Sequence, residues 1–150
     1  MANRAPPTRL RHQEGLLLIE ALVALLIFSL GILAIIGLQA QSIRHSADAK
    51  FRADAGFLAS QIIGYVWADR NNIAQYSHRP NGAVCAPGGS ASGNANVQAW
   101  LANVNALLPG ADGTRQSIAI NTATRQVTIR ICWESRSGMH NHVVTTQLSG

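Results

Sequence analysis

The chain lacks the marks of the common enzyme classes. No G-x-S-x-G nucleophile turn, no H-E-x-x-H zinc motif and no Gly-rich phosphate loop occurs in its 150 residues, so hydrolase, zinc-protease and nucleotide chemistry have no anchor in the sequence. Charge is sparse, at 13% Asp, Glu, Lys and Arg. Part of the formal +5 sits at the start: without Arg4, Arg9, Arg11 and Glu14 the balance falls by +2 to +3. The remaining basic residues are scattered rather than clustered, which argues against a nucleic-acid surface. Cysteine is limited to Cys85 and Cys132.

What the chain has in abundance is one apolar run. From Leu16 to Leu38 there are 23 consecutive residues with a single charge, Glu20, and no proline. At about 1.5 Å per helical residue this is enough to cross a hydrocarbon core of about 30 Å. Arg4, Arg9, Arg11 and His12 precede the run and only Glu14 opposes them, so the positive-inside rule predicts a cytoplasmic N-terminus with everything after Leu38 across the membrane. A secretory signal peptide is a poor alternative: its apolar region is about 7–15 residues long and ends at an A-x-A-like site, whereas Leu38-Gln39-Ala40 matches that site badly. A plain signal anchor accounts for the length but gives no reason for Glu20. A carboxylate at bilayer depth costs about 2.5–3.5 kcal/mol on insertion scales, which implies a partner for it.

The stretch Gly15-Leu-Leu-Leu-Ile-Glu-Ala-Leu-Val-Ala-Leu-Leu-Ile-Phe-Ser-Leu-Gly31 closely resembles the class III signal of type IV prepilins and pseudopilins. The resemblance implies a leader, residues 1–15, cut after Gly15 by a prepilin peptidase that then methylates the new N-terminus at Leu16. It also implies that Glu20, fifth in the processed chain, forms an assembly salt bridge with the terminal amine of a neighbouring subunit. Leu16 stands where these proteins usually carry Phe or Met, and Leu17 where they usually carry Thr. Further along, Trp100-Leu-Ala-Asn-Val-Asn-Ala-Leu-Leu-Pro-Gly110 and Val127-Thr-Ile-Arg-Ile-Cys-Trp133 resemble the Trp-helix-Leu-Pro-Gly segment and the Trp-ended strand of PilV-type minor pilins, the type IV pilus modification proteins. The function implied is a non-catalytic subunit that primes or modulates pilus assembly. Its implied partners are the prepilin peptidase, the other minor pilins and the major pilin, the assembly machinery and the membrane, with a tip adhesin as an open addition; no nucleic acid, metal or cofactor is expected. The implied location is the bacterial inner membrane, single-pass, and then the pilus, periplasm or cell surface. A minor pseudopilin of a type II secretion system shares the leader logic and is the nearest alternative. A membrane-anchored periplasmic enzyme or binding domain is the alternative from another class.

The fold class expected is α+β: a long N-terminal helix packed on a small antiparallel sheet. Residues 16–38 form its transmembrane half and 39–72 its amphipathic half, with Ile43, Ala47, Phe51, Ala55, Leu58, Ile62 and Tyr65 or Val66 at helical spacing and Asn71-Asn72 as its end. Its length corresponds to a rod of about 80 Å if unbroken, with Gly31, Gly37 and Gly56 as weak points costing about 0.5–1 kcal/mol each. Residues 73–150 form an extracytoplasmic head. Within it, Ser77–Asn96 reads as a surface loop, and Val97, Trp100, Leu101, Val104, Leu107 and Leu108 read as a short helix stopped by Pro109-Gly110. Alternation at Ile118 and Ile120, then at Val127, Ile129 and Ile131, and a third segment from Val143 to Leu148, predict three strands with turns at Asn121–Thr124 and Ser137-Gly138.

Cys85 and Cys132 both fall beyond the span, in the oxidising compartment, and their even count predicts a disulfide. Closing a loop of about 48 residues contributes about 4 kcal/mol in the chain-entropy model. The competing use of Cys132, as a metal ligand with His140 and His142, has only a generic spacing.

Overall fold

The computed structural model describes residues 14–148. Arg4, Arg9, Arg11 and His12, which fall in the expected leader, lie outside the described residues. The chain divides into two units, Met1–His45 and Ser46–Gly150, and its elements are a 55-residue helix α1 (Glu14–Ala68), a 3-10 segment (Arg70–Tyr76), a hairpin of β1 (Asn81–Ala83) and β2 (Ala86–Gly88), helix α2 (Ala95–Leu107), a 3-10 turn (Gly113–Arg115), and strands β3 (Ser117–Asn121), β4 (Gln126–Ser135) and β5 (Gly138–Gln147).

In the first unit, α1 is helical without interruption through Gly31 and Gly37. Every side chain from Gly15 to His45 is exposed, so none of this apolar surface is buried within the unit. The helix is long and apolar enough to cross a membrane, and in lipid that exposure is the expected state of a spanning helix, whose main-chain groups are satisfied internally. Ser29 joins that internal pattern, its hydroxyl donating to the Leu25 carbonyl at 2.7 Å.

The second unit is α+β, with its core between α1 from Phe51 onward, α2 and one face of the sheet. Ala55, Leu58, Ala59, Ile62 and Val66 recur every three or four residues and are all buried; Phe51, Ile63 and Tyr65 pack on them from the flanks. The expected stripe is therefore real from Phe51 onward, but Ile43, in the first unit, is 71% exposed. The sheet order is β3-β4-β5, antiparallel throughout, with Ile118 opposite Ile129, Ile129 opposite Val144 and Ile131 opposite His142. Because side chains alternate across a strand, Val127, Ile129, Ile131 and Trp133 form the buried face of β4.

Helix α2 begins where Asn94 caps it: the side-chain carbonyl of Asn94 accepts from the main-chain N–H groups of Asn96 at 2.9 Å and Val97 at 3.4 Å, supplying two of the donors a helix start leaves unpaired. Val97, Trp100, Leu101 and Val104 are its buried stripe. The helix gives way at Leu108, Pro109 and Gly110, and the Pro109 carbonyl accepts from the Glu134 N–H at 2.9 Å. Gly110 has φ +59°, and a Cβ there would lie 2.8 Å from Glu134 Cβ, so both the backbone conformation and the close approach demand glycine.

Three expectations are corrected. Ser77–Asn96 is not simply a loop: it holds the β1–β2 hairpin and an isolated bridge from His78 to Ile118 at the edge of β3. Strand β5 starts at Gly138 rather than Val143, because the register with β4 continues to the Ser135–Gly138 pair and carries His140 and His142 into the strand. The long helix ends at Ala68 and is followed by a 3-10 segment that contains Asn71-Asn72.

Candidate functional site

Gly15, Leu16 and Glu20 all lie in the first turns of α1. The Gly15–Leu16 bond falls in the opening turn, where a helix has main-chain N–H groups without intrahelical acceptors. A Cβ added at Gly15 meets no atom within 4 Å, and Leu16 is 70% exposed. Glu20 follows Leu16 at the i, i+4 spacing that puts two residues on one side of a helix. Glu20 is exposed, and among the described residues it has no hydrogen-bond or ion-pair partner in the chain. For an acid in this apolar setting, a cation is the partner that offsets its desolvation.

In the head, Cys85 and Cys132 form a disulfide, with S–S 2.07 Å and Cα–Cα 5.6 Å across 47 residues. It ties the turn of the β1–β2 hairpin to β4. Cys85 sits there with φ 57°, and Gly82, with φ +98°, opens the hairpin where a Cβ would come within 2.8 Å of Ala86 O and Gly88 N. With its sulfur bonded to Cys85, Cys132 is not available to a metal alongside His140 and His142. His140 has other neighbours: its Nε2 is 3.0 Å from Ser135 Oγ and 2.9 Å from Ser137 Oγ, its ring stacks on Trp133, and Ser137 in turn reaches Asp48 of α1 at 3.4 Å. Among the described residues no group of three or more His, Cys, Asp or Glu is placed to hold a metal ion.

The stretches Trp100–Gly110 and Val127–Trp133 contribute side chains to one core. The Trp100 indole N–H donates to the Leu58 carbonyl at 2.9 Å, and the far end of the helical stretch docks on β4 through Pro109 and Glu134.

Two polar residues in this framework carry no sequence signal. Gln116 is fully buried; its side-chain oxygen accepts from Cys132 N–H at 2.8 Å, and its amide donates to the carbonyls of Cys132 and Asp112, each at 2.9 Å. His78 accepts from Ser92 N–H through Nδ1 at 3.1 Å, which leaves Nε2 as the donor to Gly113 O at 2.9 Å. Beside His78 lies a shallow cleft of about 420 Å³ lined in part by Arg79, Gln98, Asn105 and Asp112. The Thr114 main-chain N–H holds the Asp112 carboxyl below its ordinary 3.8, with further help from the Thr114 side chain, Arg115 and Arg79. Asp112 thereby caps the short turn Gly113–Arg115.

Comparison with protein-family models, curated proteins and solved structures finds no match. The class of protein therefore rests on the fold and site themselves: an α+β chain with a long apolar N-terminal helix suited to anchoring in a membrane and a disulfide-bonded antiparallel sheet. This is an arrangement compatible with a pilin-like architecture.

Proposed function

We propose that this chain is a minor pilin of the PilV type: a non-catalytic subunit of a type IV pilus, inserted in the bacterial inner membrane with its N-terminus inside. In this reading a prepilin peptidase cuts after Gly15 and methylates Leu16. The subunit then enters the filament with the other minor pilins and the major pilin through the assembly machinery.

The observation that carries the reading is Glu20, the lone charge of the apolar span 16–38, one helical turn after Leu16. After cleavage at Gly15 the Leu16 amine is a cation at that same level of the helix. Neighbouring subunits that pair amine with carboxylate relieve the desolvation of both, so association and register come from one contact. The resemblance of Trp100–Gly110 and Val127–Trp133 to the minor-pilin pattern, with both contributing to one core, favours a minor pilin over a pseudopilin of type II secretion.

A deletion strain scored together for surface pili, twitching motility and secreted exoproteins tests the choice. Loss of pili and twitching with secretion intact is the expected result; loss of secreted exoproteins alone reassigns the chain to type II secretion.

A further inference from the structure

Strand β5 is the last of its sheet. The Leu148 N–H donates to the Arg125 carbonyl at 2.9 Å, and antiparallel pairing alternates residues that bond across the pair with residues that point away. Carried along the register, this turns the main-chain groups of Gly138, His140, His142, Val144 and Thr146 toward β4, and those of Met139, Asn141, Val143, Thr145 and Gln147 outward. Among the described residues no strand pairs with that outer side. The usual protections of such an edge are missing: β5, with sequence Gly-Met-His-Asn-His-Val-Val-Thr-Thr-Gln, contains no Lys, Asp, Glu or Pro.

The helix beside this edge is uncovered as well. A Cβ at Gly56 would lie 3.9 Å from His142 Nε2, so β5 runs under the flank of α1 that carries Gly56. Helical spacing puts Arg52, Ser60, Ile63 and Trp67 on that same flank. Arg52 and Ser60 are exposed, Ile63 is only half-buried, and Trp67 is 37% exposed. A three-stranded sheet stops short of this flank, and a fourth strand beside β5 would lie beneath it.

The charges along this margin are positive on balance. Arg52 and Arg136 stand over and before β5, and the nearby acid, Asp48, is engaged by Ser137; Glu134 is paired with Arg115 at 3.2 Å, and Lys50 with Asp54 at 3.5 Å. We propose that the free edge of β5 is a docking site for an extended, acidic segment of another polypeptide, which adds a fourth strand to the sheet. Its main chain pairs with the outward groups of Met139 to Gln147, its inward apolar side chains cover Ile63 and Trp67, and its carboxylates meet Arg52 and Arg136. A second copy of this chain fits less well, because it would bring its own Arg52, Arg136, His140 and His142 to the same margin with only Asp48 to oppose them. The inference does not depend on the pilin reading, since it rests on the second unit, Ser46–Gly150, alone.

The test uses the full chain in detergent micelles and a blocked peptide of alternating Val and Thr with a Glu at each end. Amide hydrogen exchange is followed along β5. The amides of Met139, Asn141, Val143, Thr145 and Gln147 are expected to exchange freely alone and to slow by about tenfold or more with the peptide. Val143→Pro, which removes an outward N–H and no bond to β4, abolishes the slowing. Arg52→Glu, on an exposed helix flank, weakens it and keeps the test decisive if the proline variant fails to fold. The same peptide with Lys in place of Glu protects the wild type less. The proposal is overturned if the Glu peptide gives no slowing, if the Lys peptide protects equally, or if the amides are already protected without peptide in a species with the mass of a dimer.

Discussion

The indole N–H of Trp100 donates to the main-chain carbonyl of Leu58 at 2.9 Å, across 42 residues. Leu58 is on α1 and Trp100 on α2, so one hydrogen bond fixes the second helix against the first in the centre of the core. Both residues are fully buried.

Trp100→Phe keeps most of the apolar contact and loses this bond, so it should destabilise the head by about 1–2 kcal/mol. Trp100→Ala also opens a cavity and should cost about 3–5 kcal/mol. Urea unfolding of the full chain in micelles, followed by tryptophan fluorescence from Trp67 and Trp133, measures both; variants as stable as wild type would show that the bond and the packing at this position do not hold the helices together.

Opening the Cys85–Cys132 bridge should lower head stability by about 4 kcal/mol, the loop-closure contribution of a ring of this size. The paired variant Cys85→Ser with Cys132→Ser, compared with wild type in denaturant, gives the figure. Mass mapping after alkylation without reductant should find no free thiol in the native protein.

Gln116→Leu fills a similar volume but leaves the buried N–H and C=O of Cys132 without their side-chain partners. The expected loss is about 2–4 kcal/mol, the cost of stranding buried polar groups. A variant as stable as wild type in the same unfolding experiment would mean that water replaces the amide.

The contrast between these residues explains how far the sequence could be read. Helix α2 and strands β3 and β4 were legible because Val97, Trp100 and Val104 repeat at helical spacing and Val127, Ile129 and Ile131 at every second residue, each period reflecting one buried face. The start of β5 was not legible, because its inward residues there are His140 and His142, whose half-buried rings do not register as an apolar face. The β1–β2 hairpin was missed for another reason: three-residue strands such as Asn81–Ala83 are too short to show a period. Gln116 and His78 are polar residues whose burial depends on partners distant in sequence, Cys132 and Gly113, and nothing local marks them. Of the proposed site, Gly15, Leu16 and Glu20 are legible entirely from the sequence; the structure adds that they share the opening turns of one helix and that Glu20 has no partner among the described residues.

Gly15→Val should leave the chain helical and inserted, because a side chain at this position meets nothing within 4 Å. Any failure of processing then reflects the peptidase and not the fold. With a C-terminal tag, the wild type is expected at the mass of the chain from Leu16 onward with one added methyl group, and the variant at full length. Identical processing of the two would remove Gly15 from the site.

The most direct test of the account is recovery of Glu20→Leu in sheared filaments. Replacing an intramembrane acid with leucine relieves an insertion cost, so a plain membrane anchor should tolerate the change and remain in the membrane at least as well. An assembly subunit loses the partner of the Leu16 amine in a medium of low dielectric, where that pairing matters most. Wild type and variant are expressed at matched levels, their leader cleavage and membrane content are checked, and the amount in sheared pili is measured. The account predicts equal cleavage and insertion with marked depletion of the variant from filaments; incorporation equal to wild type would contradict it.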